Sequence, residues 1–81
     1  MGLKINLGCG QRPLPGFVNV DLRPGPQVDV VCDVETELTK HFEPDSVEHV
    51  VAIQLFEHVR DAIGFMRSLY VICQDGAKVE F

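Results

Sequence analysis

An 81-residue chain that is 46% hydrophobic and 23% charged has the composition of one small globular domain, not of a disordered segment. Its net charge of −5 at pH 7, with Lys and Arg scattered and no basic run, argues against non-specific binding to a nucleic-acid backbone. No stretch approaches the roughly 20 apolar residues that span a bilayer, and the N-terminus does not read as a signal peptide.

Three cysteines, Cys9, Cys32 and Cys73, form no C-x-x-C pair and no spacing typical of zinc. They predict reduced thiols in a cytoplasmic protein, with no metal centre. Residues 3–10, LKINLGCG, alternate Leu3, Ile5 and Leu7 with Lys4 and Asn6 before stopping on Gly8-Cys9-Gly10. That is a strand feeding a glycine turn at which a ligand can approach the main chain.

Pro13 and Pro15 forbid an ordinary helix in the following QRPLPGF. Residues 18–22, VNVDL, predict a second strand ending on Asp21, and 28–32, VDVVC, a third ending at Asp33, with Asp29 facing solvent. The links between these strands are short for parallel crossovers. Spacing alone leaves a parallel or an antiparallel pairing of strands two and three open. Residues 35–42 predict a short helix with Leu38 and Phe42 one turn apart. Residues 48–54 predict a strand buried on both faces. Residues 60–73 predict a helix whose buried face carries Ala62, Phe65, Met66, Leu69 and Cys73. Asp75-Gly76 reads as a helix-ending turn, and 77–81 as a last strand. The alternation predicts an α/β fold with a mostly parallel sheet of about five strands.

Gly8-Cys9-Gly10, Asp21 and Asp33 thus fall at successive strand ends, the edge at which open parallel sheets bind ligands. A carboxylate after strand two can accept both hydrogen bonds of a ribose diol, and one after strand three can accept from an exocyclic amine. Asp33 can equally cap the helix that follows it.

INLGCGQRPLPGFVNVD resembles the first motif of the class I S-adenosylmethionine-dependent methyltransferases, in a subgroup whose first helix is abbreviated to a Pro-Leu-Pro-Gly link. The resemblance continues through DVVCDV, FEPDSVEHVVAIQLFEHV and QDGAKVEF. It implies a Rossmann-like fold and S-adenosylmethionine as cofactor, with contacts from Asn6, Gly8, Cys9, Gly10, Asp21, Leu22, Asp33, Val34, Gln54 and Leu55. Gly8 and Gly10 would line the methionine moiety, Asp21 would hold the ribose, and Asp33 with the Val34 amide would bracket adenine. Gln54 and Leu55 would lie beside the sulfonium and the acceptor, and His58 is the candidate general base. Glu57 and His58 lack a convincing third metal ligand.

The chain departs from the pattern at Arg12-Pro13, where a third glycine is usual, and at Gln74-Asp75-Gly76, where the family has Pro-Gly-Gly. It also stops at Phe81, so the last helix and strands of the family's fold are not expected. The strand ending there would present an open edge suited to a second copy. The methyl acceptor is not specified. A non-catalytic remnant that binds the cofactor weakly or self-associates is the alternative. A nicotinamide-dinucleotide site fits poorly, because Pro13 occupies the third glycine position of G-x-G-x-x-G.

Overall fold

Strand-forming stretches separated by proline and glycine links give a sheet with helices on one side in the computed structural model, which describes residues 2–9, 12–53, 55 and 59–81. The elements are β1 (Leu3–Leu7), β2 (Val18–Asp21), β3 (Val30–Val31), α1 (Leu38–His41), β4 (Val47–Val51), α2 (Ala62–Ile72) and β5 (Cys73–Glu80). They form one five-stranded sheet in the order β3-β2-β1-β4-β5, with every pairing parallel. This is a Rossmann-like α/β arrangement, and it resolves the pairing of strands two and three as parallel.

Residues paired in register point to the same face. Ile5, Val18, Val50 and Val79 therefore share the face on which α1 and α2 pack. The core joins Ile5, Leu7, Val20, Val47 and Val50 to Leu38, Phe42, Phe65, Leu69 and Ile72. Phe65 is fully buried, and burial of a side chain of that size contributes about 1.5–3 kcal/mol. The buried stripe of α2 is Phe65, Leu69 and Ile72, a spacing of four and three. Met66 is 42% exposed, contrary to expectation, because it lies one step round the helix from that stripe. Asp61 caps α2, its Oδ1 accepting from the Gly64 amide at 2.9 Å.

Among the described residues no helix covers the opposite face near β1 and β2; residues 12–17 pack there. Asn6 and Asn19 are register partners there, and both are buried. Asn19 Oδ1 accepts from Asn6 Nδ2 at 3.0 Å and from the Leu14 amide at 2.8 Å. Asn19 Nδ2 donates to the Leu14 and Phe17 carbonyls, and Asn6 Nδ2 to the Arg12 carbonyl. Pro15-Gly16 supplies the corner: the Phe17 amide donates to the Leu14 carbonyl, and Gly16 has φ of 81°. Proline followed by a positive-φ glycine is the signature of a type II turn. Two asparagines in adjacent strands thereby fasten a proline link where a helix would otherwise lie.

The strand expected at 48–54 is Val47–Val51 and the helix expected at 60–73 is Ala62–Ile72, and three other elements differ more in character. The third strand is only Val30–Val31, because the Val28 amide turns back to the Gly25 carbonyl and Asp29 is engaged by Asn19. The first helix is only Leu38–His41, since residues 33–37 form turns around Asp33. The last strand begins at Cys73, directly after α2, with Asp75-Gly76 inside it. The register jumps from Val47–Cys73 to His49–Lys78, so Gly76, with φ of 77°, sits in a wide bulge instead of ending the helix.

On the helix-free face, His49 Nε2 lies 2.6 Å from Glu80 Oε2, and the Phe17 ring meets the His49 imidazole edge-on at 5.1 Å. The bond to His49 holds the Glu80 carboxyl below its usual 4.5, outweighing partial desolvation, and Lys78 acts in the same direction. A carboxyl depressed by folding stabilises above its unfolded value, and that contribution is lost as the pH falls through the folded value. Acid titration of stability below pH 4.5 should therefore be less steep in Glu80→Gln than in the parent. Equal slopes would contradict the assignment.

Candidate functional site

Parallel strands align their carboxyl ends on one edge, and the links leaving β1, β2 and β3 open there. Gly8, Asp21, Leu22, Cys32, Asp33, Val34, Glu35, Leu55 and Val59 line a cavity of about 150 Å3 at that edge. Of the ten candidate cofactor contacts, Gly8, Asp21, Leu22, Asp33, Val34 and Leu55 are brought together here. Gly10, Gln54 and His58 lie outside the described residues, as does Glu57. Asn6 is instead buried on the opposite face, bonded to Asn19 and Arg12. Cys9 is buried and is not among the lining residues.

Each wall has a local cause. Gly8 has φ of 67°, which L side chains rarely adopt, and a Cβ there would lie 3.0 Å from Leu55 Cδ1. The main chain of β1 and the Leu55 side chain are thus held in close approach. Asp21 ends β2 half-buried, its Oδ1 accepting from the Leu22 amide at 2.8 Å. The Asp21 carbonyl accepts from the Cys32 amide at 2.9 Å, coupling the second and third strand ends.

Asp33 does not cap α1 as expected: the helix starts after Glu37, with no side-chain cap, and Asp33 instead closes the turn before it. Its Oδ1 accepts from the Glu35 amide at 3.0 Å, and its own amide donates to Glu37 Oε1 at 3.0 Å. The two bonds fix the turn between β3 and α1. Glu35 was not anticipated as a site residue. Its Oε1 accepts from the Arg60 and Asp61 amides at 2.8 and 3.1 Å. This clamp ties the wall after β3 to the start of α2 across the cavity.

The cavity is acidic at its rim and apolar at Val34, Leu55 and Val59. It can accept hydrogen bonds from hydroxyls and amines while packing a flat ring. Burial, with Glu37 and Asp33 adding, pushes the Cys32 thiol up to about 11. Burial also raises the Cys9 and Cys73 thiols. A larger concavity, about 610 Å3, runs along the outer face of α2 between Ala62 and Val71. Its exposed surface is almost wholly apolar, Arg67 and Tyr70 being its polar residues, and it has no carboxylate or backbone turn like those at the strand ends, so the chemistry is assigned to the sheet edge.

Comparison with protein families, curated proteins and solved structures yields no match. No helix among the described residues is long and apolar enough to cross a membrane.

Proposed function

We propose that the chain is the S-adenosylmethionine-binding core of a class I methyltransferase. One observation carries this reading. Gly8, Asp21, Asp33, Val34 and Leu55, to which the sequence resemblance assigns a single cofactor, line one cavity at the carboxyl edge of a parallel sheet. Asp21 would accept from the ribose hydroxyls, Asp33 and the Val34 amide would bracket the adenine edge, and Leu55 would pack beside the sulfonium. Transfer of a sulfonium methyl needs in-line positioning, and a base only where the acceptor must lose a proton. The acceptor is left unspecified.

Small-molecule pockets usually exceed about 300 Å3, so a cavity of about 150 Å3 would enclose only part of such a cofactor. The same observation favours a second reading, a non-catalytic remnant that binds weakly and acts through self-association. Titration calorimetry with S-adenosylmethionine and S-adenosylhomocysteine separates the two. The first reading expects dissociation constants in the micromolar range. A folded protein that binds neither would overturn it, and its mass in solution would then test the second.

A further inference from the structure

Beside the cavity, the end of β3 and the short helix α1 bring together three side chains of different chemistry that the proposed function does not use as a set. Their donor atoms, Cys32 Sγ, a Glu37 carboxylate oxygen and a His41 ring nitrogen, all lie within 4.8 Å of one another. We propose that Cys32, Glu37 and His41 bind a divalent transition-metal ion of the zinc type.

The backbone explains the convergence. Glu37 and His41 are four residues apart, the spacing that stacks two side chains on one face of a helical turn. Cys32 closes the third side from the strand end beneath them. Cys32 is 1% exposed, and among the described residues its thiol has no hydrogen-bond partner. The chain therefore buries a polarisable sulfur that faces a carboxylate and an imidazole with no bond of its own. Glu37 is oriented already, since its Oε1 accepts from the Asp33 amide at 3.0 Å. Metal-bound carboxylates are commonly held by such outer hydrogen bonds.

The donor set selects the ion. Thiolate, imidazole and carboxylate together suit zinc, whereas magnesium and calcium take oxygen ligands. Ligand atoms around a tetrahedral zinc ion stand about 3.5 Å apart, given bonds of about 2.0–2.3 Å. Closing the cluster therefore needs about one ångström of inward movement. His41 is exposed and Glu37 half-buried, so both can supply it. Three protein ligands leave the fourth position to water. On binding, the Cys32 S–H bond breaks, its proton leaves to solvent, and the sulfur electron pair forms the bond to the metal. The proposal is independent of the methyltransferase reading.

Cobalt titration of the reduced 81-residue protein tests it, because four-coordinate cobalt bound to thiolate absorbs in the visible and shows an ultraviolet charge-transfer band. One cobalt per chain, displaced by zinc, is expected. His41→Ala should weaken binding at least tenfold, Cys32→Ser should abolish the charge-transfer band, and Cys73→Ser should leave it intact. If Cys32→Ser does not fold, His41→Ala and Glu37→Gln carry the test, since both residues lie outside the core. No band in the parent, undiminished affinity in His41→Ala, or a band lost only in Cys73→Ser would overturn the site.

Discussion

Asn19→Ala should lower the unfolding free energy by about 3 kcal/mol. A net loss of that size follows when several buried polar groups lose their partner at once, each unsatisfied group costing about 1–3 kcal/mol. Asn19 serves the Leu14 amide, the Leu14 and Phe17 carbonyls and the Asn6 side chain, and both asparagines are buried. An 81-residue domain has roughly 4–12 kcal/mol in all at typical stability per residue. The change therefore removes a large share of it. Chemical denaturation measures the effect. A loss below about 0.5 kcal/mol, the range of surface substitutions, would mean that residues 12–17 do not depend on the asparagine pair.

Asp21→Ala should weaken binding of S-adenosylhomocysteine at least tenfold, or about 1.4 kcal/mol, while leaving the denaturation midpoint nearly unchanged. Asp21 is half-buried at the end of β2, outside the apolar core, and its side chain accepts locally from the Leu22 amide. The bond to the Leu22 amide is exposed and local, and its loss costs the fold little. Losing the acceptor for two ribose hydroxyls costs the complex much more, because those hydroxyls would enter the cavity without a partner. Calorimetry of variant and parent under one buffer decides it. Equal affinities would remove Asp21 from the site.

These two residues also mark what can be read from the chain and what cannot. Asp21 was legible because β2 alternates cleanly and stops there, so strand-end logic alone reaches it. Asn19 occupies the polar position of that same alternation, on the helix-free face, as Asn6 does in β1. A buried polar residue recurring at matched positions in two strands was the available signal for a side-chain clamp. Asp29 is exposed, as expected, but it also accepts from the Asn19 amide at 2.7 Å, a contact that needs β2 and β3 to be neighbours.

The strand after α2 failed locally for a related reason. Asp75-Gly76 carries a genuine turn signal, and Gly76 does adopt positive φ. Whether that turn ends a helix or bulges a strand depends on Cys73 pairing with Val47, 26 residues earlier in the chain. The Cys32–Glu37–His41 cluster was hidden by its mixed spacing, which joins a strand end to one turn of helix and matches no short metal motif. Glu35 was hidden in the same way, since its partners, the amides of Arg60 and Asp61, are 25 and 26 residues away.

The central claim concerns where a ligand sits, so amide chemical-shift mapping during titration with S-adenosylhomocysteine tests it most directly. The account predicts the largest shifts at Gly8, Asp21, Leu22, Asp33, Val34 and Leu55, with α2 from Met66 to Val71 nearly unmoved. Saturating shifts confined to the outer face of α2, or none at the strand ends of a folded protein, would contradict it.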